Sequence, residues 1–166
     1  LKGNTLQSFK AYKLRVKSKT NNLLDEFLKL HPKYIDLSLR RLNKLLKKLG
    51  NPHLDLPKTI HIAGTNGKGS TVAFLKEILE AHDLSVNMYT SPHLINFNER
   101  IRINKKLISD KNLINILEEV EFKNNRNPIT FFEITTAAAF IAFKRFPADI
   151  NIFEPGLGGR LDATNI

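Results

Sequence analysis

The stretch Thr59-Ile-His-Ile-Ala-Gly-Thr-Asn-Gly-Lys-Gly-Ser-Thr71 constrains the fold of this chain more than any other. Its first half is short and apolar, with Ile60, Ile62 and Ala63, and predicts a buried parallel strand. Its second half sets Gly64, Gly67 and Gly69 around Lys68. Over 72–81 the apolar residues recur at helical spacing. Strand, glycine loop and helix in that order is a geometry that holds phosphate. Glycines let backbone N–H groups turn toward an anion, and the helix N-terminus adds its own unpaired N–H groups and dipole. Lys68 supplies a point charge for the β- and γ-phosphates. The hydroxyl of Ser70 or Thr71 is placed to reach phosphate or Mg²⁺. The spacing departs from the strict G-x-x-x-x-G-K-[ST] pattern. Two residues separate Gly64 from Gly67, and Gly69 stands between Lys68 and Ser70. A plain turn with an exposed lysine is the alternative reading, and it leaves the three glycines unexplained.

The 166 residues suffice for one domain with a core, and 42% of them are hydrophobic. No apolar run is long enough to predict a membrane span, and no apolar stretch near the start predicts a signal peptide. The absence of cysteine excludes disulfides and thiolate metal sites, and fits a cytoplasmic location. Leu1 in place of Met predicts a processed or trimmed start. The net charge of +10 belongs to the front: residues 1–58 hold 14 of the 26 Lys and Arg but 4 of the 16 acidic residues. This basic segment lacks interleaved aromatic residues, so a solvated face is favoured over a nucleic-acid surface.

Residues 1–21 read as a basic lead-in, and 22–166 as the folded part. A short helix is expected over 22–30, interrupted by Pro32. Asp36 is a candidate N-cap for a second helix, with Leu39, Leu42, Leu46 and Leu49 as its apolar stripe and Gly50 as its stop. After the glycine loop and its helix, 84–89 reads as a strand, completing a parallel β-α-β unit. Ser91 follows at that strand's C-terminal end, where open α/β sheets bind ligands. Residues 98–103 alternate charge and isoleucine like a short ribbon, and Ser109-Asp110 opens a helix to about residue 122. Thr130 and Glu133 have capping-box spacing ahead of an alanine-rich helix expected to pack on the sheet. A third strand, 148–153, delivers Glu154 to a strand end, the usual place for a Mg²⁺ ligand. Gly156, Gly158 and Gly159 then form a second loop able to approach a ligand closely.

Four stretches together resemble folylpolyglutamate synthase / dihydrofolate synthase, a branch of the Mur ligase family. They are Gly64-Thr-Asn-Gly-Lys-Gly-Ser70; Tyr89-Thr-Ser-Pro-His-Leu94 with Asn98-Glu-Arg-Ile101; Thr130-Phe-Phe-Glu133; and Gly156-Leu-Gly-Gly-Arg-Leu-Asp-Ala-Thr-Asn165. Ile35-Asp-Leu37 also matches that branch. The resemblance implies an α/β fold with a P-loop-type, mostly parallel sheet flanked by helices, the central ATPase domain of a Mur ligase. It implies ATP-dependent ligation of L-glutamate to dihydropteroate or folate through an acyl phosphate, in a monomer that binds neither nucleic acid nor membrane. It implies that Thr65, Asn66, Gly67, Lys68, Gly69 and Ser70 bind ATP, with Lys68 stabilising the transferred phosphoryl group. Ser91 and Glu154 correspond to Mg²⁺ ligands. Ile35, Asp36, Leu37, Met88, Thr130, Leu161, Asp162 and Ala163 correspond to the pterin side of the substrate pocket.

The sequence departs from the family pattern at Pro155, where valine is usual. A proline there removes an N–H and fixes φ, which is able to displace the Glu154 carboxylate. The sequence also ends before the family's histidine metal ligand, a lysine near the metals and the C-terminal glutamate-ligase domain. A truncated, inactive remnant that at most binds nucleotide is therefore the alternative function. Ligation of a peptidoglycan precursor by another Mur relative is disfavoured by the Ser91–Leu94 and Gly156–Asn165 stretches.

Overall fold

The structure is a computed structural model, and it describes residues 20, 22–26, 28–29 and 38–166. Residues 22–26 and 28–29 are helical, as expected. The expectations for Pro32, for Ile35, Asp36 and Leu37, and for most of the basic lead-in lie outside the described residues.

Four further helices and five strands follow: α1 (Arg40–Lys48), β1 (Thr59–His61), α2 (Lys68–Ala81), β2 (Val86–Tyr89), β3 (Ile101–Ile103), β4 (Lys106–Leu107), α3 (Asp110–Asn124), α4 (Phe131–Arg145) and β5 (Ile150–Phe153). The sheet order is β1-β5-β2-β3-β4. β1 and β2 each pair parallel with β5, while β3 and β4 add antiparallel to the β2 edge. The expected β-α-β strands are thus parallel but not neighbours, because β5 lies between them. Asn151, Ile152 and Phe153 of β5 and Val86, Asn87 and Tyr89 of β2 are fully buried, as suits strands inside a sheet covered on both faces.

Register divides the core. Asn87, Asn151 and Thr59 lie across from one another, as do Tyr89, Phe153 and His61. That face meets α4, where Phe140 and Phe143 set their rings 5.0 and 5.1 Å from Phe153. The opposite face carries Val86, Met88, Ile150 and Ile152, and packs against Val72, Leu75 and Leu79 of α2. Helices cover both faces, the three-layer arrangement of α/β folds. α4 is apolar all round because it is covered all round: the sheet lies on one side, and α1 and α3 lie on the other. Each Leu, Ile or Phe fully buried in this way contributes about 1.5–3 kcal/mol.

Helix ends follow local chemistry. α1 buries Leu42, Leu45 and Leu46, while Leu39 and Leu49 are half-buried at its two ends. Its N-cap is Leu39. It closes with Asn51 N to Leu46 O and Gly50 N to Lys47 O, with Gly50 at φ +75°. Ser109 caps α3 by accepting from Asn112 N at 3.2 Å. Residues 97–100 are a helical turn rather than ribbon, so the ribbon starts only at Ile101. The cause is a capping box: Glu99 reaches back to the N–H of Asn96 at 2.7 Å.

Candidate functional site

The three parallel strands end side by side, and each delivers one predicted feature. β1 runs into the loop of Gly64, Thr65 and Asn66, and α2 begins at Lys68, four residues earlier than its apolar periodicity indicates. Gly67 is the N-cap at φ +76°, a backbone state that glycine enters without steric cost. Lys68 donates from Nζ to the Gly64 carbonyl at 2.9 Å, and Thr71 Oγ1 donates to the Gly67 carbonyl at 2.9 Å. Both contacts curl the loop around the helix start. Thr65, Asn66, Gly69 and Ser70 are exposed, so the first N–H groups of α2 face solvent.

β2 ends at Tyr89, and Ser91 stands two residues beyond it, with a cis bond to Pro92. β5 ends at Phe153, next to Glu154. Glu154 N donates to Tyr89 O at 2.8 Å, extending the β2–β5 pairing past the strand end. Ser91 N donates to Glu154 Oε2 at 3.3 Å. That bond ties the carboxylate to the turn after β2. Glu154 is buried, yet that one long bond is all its carboxylate accepts among the described residues. A buried carboxylate with so little hydrogen bonding has capacity for a cation. Glu154 and Ser91 offer hard oxygen donors, the type Mg²⁺ takes when phosphates and waters complete its shell. No cluster of three or more His, Cys, Asp or Glu occurs among the described residues, so these two would not enclose a metal alone.

The second glycine loop seats on this junction. An added Cβ on Gly156 would lie 3.0 Å from the Phe132 ring, and one on Gly159 would lie 3.2 Å from Ala63 Cβ. These two glycines thus answer first to protein packing. Asp162 is buried inside the loop. It accepts from Leu157 N at 2.9 Å, Thr164 N at 2.9 Å and Thr164 Oγ1 at 2.7 Å. It shapes the turn that carries exposed Leu161 and buried Ala163. Thr164 Oγ1 also lies 2.7 Å from His61 Nε2, at the end of β1.

Thr130 caps α4 beside this loop. Its hydroxyl accepts from Glu133 N at 3.1 Å, and its N–H donates to Glu133 Oε2 at 2.8 Å. Arg41 of α1 donates to the same Oε2 from Nε at 3.2 Å and from a terminal nitrogen at 3.0 Å. Phe132, on the first turn of α4, links Thr130 to Gly156. The structure does not bring Met88 to this group. Met88 packs with Val72 and Ile152 on the α2 face of the sheet.

Three interactions lie outside the sequence-based candidates. The Arg41–Glu133 pair spans 92 residues and the His61–Thr164 contact 103, so neither leaves a local signal. Glu99 is different, because Asn96-x-x-Glu99 is a readable capping box. Glu99 also accepts from Leu94 N at 2.8 Å and Ile95 N at 3.1 Å. Backbone N–H groups of Asn96, then Leu94, then Ile95 hold its carboxyl below the usual carboxylate range. Burial holds the His61 imidazole below its ordinary pKa, against the opposing pull of Asp162.

No family model matches the chain. Among curated proteins, the dihydrofolate synthase/folylpolyglutamate synthase of Buchnera aphidicola is 47% identical over 133 residues, covering 78% of this chain and 31% of that protein. A solved Escherichia coli structure in complex with DHPP and ADP superposes with a TM-score of 0.81 at 38% identity, covering 88% of this chain and 35% of that one. A solved bifunctional folylpolyglutamate synthase/dihydrofolate synthase with Mn, AMPPNP and L-glutamate bound gives a TM-score of 0.76 at 38% identity, covering 86% of this chain and 35% of that one. The chain spans about a third of the length of these relatives. Motif order and these similarities agree that the chain belongs to the folylpolyglutamate synthase / dihydrofolate synthase family, as its N-terminal part.

Proposed function

We propose that this chain is the ATP-handling part of a ligase that joins L-glutamate to dihydropteroate or folate. The observation that carries this reading is the meeting of the Gly64–Ser70 loop, the Ser91–Glu154 pair and the Asp162 loop at adjoining strand ends. The relatives' bound ADP, AMPPNP, Mn, DHPP and L-glutamate support it. The chemistry fits the parts. A carboxylate is a poor electrophile. Transfer of the γ-phosphoryl group of ATP to its oxygen releases ADP and gives an acyl phosphate. The glutamate nitrogen then attacks the acyl carbon, phosphate leaves, and the nitrogen loses a proton. Such transfers need positioning and charge neutralisation more than a protein nucleophile.

In this reading Thr65, Asn66, Gly67, Gly69 and Ser70 hold the ATP phosphates through backbone N–H groups and hydroxyls. Lys68 exchanges the Gly64 carbonyl for phosphate and stabilises the transferred group. Glu154 and Ser91 hold Mg²⁺, which neutralises phosphate charge when bound. Thr130, Leu161 and Ala163 line the pterin side, with Asp162 fixing their turn. Ile35, Asp36 and Leu37 complete the family's pterin set in this reading, while Met88, on the α2 face of the sheet, does not join it. A monomer in the cytoplasm, binding neither nucleic acid nor membrane, belongs to the same reading; no helix among the described residues is long and apolar enough to cross a membrane.

The test is calorimetric titration of residues 1–166 with Mg²⁺–ATP, beside Lys68→Ala. Saturable binding that weakens about tenfold or more in the variant is expected, since a charge-assisted phosphate contact is worth about 1.5–3 kcal/mol. A folded chain that binds no nucleotide would overturn the reading.

A further inference from the structure

The phosphate loop and the 156–165 loop are candidates for different ligands, yet a hydrogen-bonded chain ties the second loop to the strand that leads into the first. It starts at His61, the last residue of β1, directly before the segment that feeds the phosphate loop. His61 Nε2 lies 2.7 Å from Thr164 Oγ1, and Thr164 Oγ1 lies 2.7 Å from Asp162 Oδ1. A carboxylate only accepts, so the single hydroxyl proton of Thr164 points to Asp162. The hydroxyl oxygen must then accept from His61 Nε2–H, which fixes the tautomer with Nδ1 unprotonated. Burial lowers the ring's pKa, which favours the neutral form this arrangement needs. The other Asp162 oxygen holds Leu157 N at 2.9 Å, so the carboxylate closes the loop while its partner Thr164 is tied to β1. The close approach of Gly159 to Ala63 seats the same loop two residues further along the β1 side.

We infer that His61 is a positioning residue that couples nucleotide binding at the phosphate loop to binding of the pterin-bearing acid at the 156–165 loop. This inference rests on the function proposed above. An anion drawn into the phosphate loop acts on the residues just after His61. The hydrogen bond to Thr164 hands that displacement to the turn carrying Leu161 and Ala163. Coupling of this kind is reciprocal: each ligand raises the affinity for the other by the same factor.

The experiment is a binding cycle on the 166-residue chain: dihydropteroate titrated with and without Mg²⁺–ADP, which binds without turnover. Coupling of about fivefold or more is expected in the unaltered chain. His61→Ala should bring it close to one, with Mg²⁺–ADP affinity alone changed by less than about threefold. Thr164→Val should do the same, by removing the bridging hydroxyl. His61→Gln should restore coupling, because its amide nitrogen can stand where Nε2 stood. Coupling that persists in folded His61→Ala and Thr164→Val overturns the inference. So does an unaltered chain that binds both ligands independently, and so does failure of His61→Gln to restore what His61→Ala loses. A chain that binds neither ligand instead overturns the proposed function, and this inference with it.

Discussion

At the scale of single residues, two glycines in the site serve different physical needs and predict different mutants. Gly67 sits at φ +76° with open space where a Cβ would go. Gly67→Ala therefore meets backbone strain alone, of about 1–2 kcal/mol. Gly156 is limited by contact, since its Cβ would meet three Phe132 ring atoms at 3.0 to 3.3 Å. Gly156→Ala is expected to lower stability in urea unfolding by about 1–3 kcal/mol. Phe132→Leu in the same chain should recover part of that loss, because the two residues touch. Strict additivity of the two changes would argue against the contact. Glu154 is the third informative residue, a buried carboxylate given one long hydrogen bond. Glu154→Gln should abolish any effect of Mg²⁺ on nucleotide affinity while leaving the fold intact. An unchanged Mg²⁺ dependence would remove Glu154 from the cation site.

At the scale of elements, α4 is fixed at its start by a capping box and by an arginine from a distant helix. Glu133 Oε2 receives the Thr130 N–H and two Arg41 donors, while its Oε1 is buried without a partner. Taking away the cation leaves a buried carboxylate that only one backbone N–H compensates. Arg41→Met should therefore destabilise by about 2–4 kcal/mol, more than the roughly 1 kcal/mol expected for loss of the Thr130 cap in Thr130→Ala. Thermal unfolding of the two variants side by side decides the ranking, and equal losses would mean the ion pair adds little. α2 shows a different balance. Val72, Leu75 and Leu79 face the sheet, whereas Phe74 and Ile78 point to solvent and are 70% and 57% exposed.

At the scale of the whole molecule, half-buried histidines make stability depend on pH on the acid side. Burial is the largest cause lowering the pKa of His53, His61 and His93 from the ordinary 6.5. The unfolded chain thus takes up protons near pH 6.5, while the folded chain takes them up at these sites only at lower pH. Stability is full above that pH and falls as pH drops through and below it, because the unfolded state binds more protons. A second loss sets in nearer pH 4. Glu99 and Asp149 have carboxyls held below their ordinary 4.5 and 3.8, mainly by hydrogen bonds from backbone N–H groups and from Ser85. The urea midpoint should therefore decline between pH 7.5 and 5.5 and more steeply below pH 4.5. A flat profile between pH 7.5 and 5.5 would contradict histidine pKa values lowered by folding.

The sequence by itself determined the features set by neighbours along the chain. The order strand, glycine loop, helix over 59–81 needs only Gly67, Lys68 and apolar spacing. The cap at Thr130 needs only a glutamate three residues on, and the stop at Gly50 needs only a residue free to take positive φ. These are decided within a few residues, by sterics and backbone hydrogen bonding. What the tertiary structure alone decided is which distant residues meet. β5 lies between β1 and β2, and both β5 and β2 are interior strands buried on both faces. That placement brings Glu154 against Ser91, and the loop after it against His61, contacts 63 and 103 residues apart. It also turns Met88 toward α2, since register with Ile152 assigns its face and local sequence does not. Pairings across such separations depend on the packing of the whole sheet, where side-chain direction follows from strand register and burial, and no short stretch of sequence carries that information.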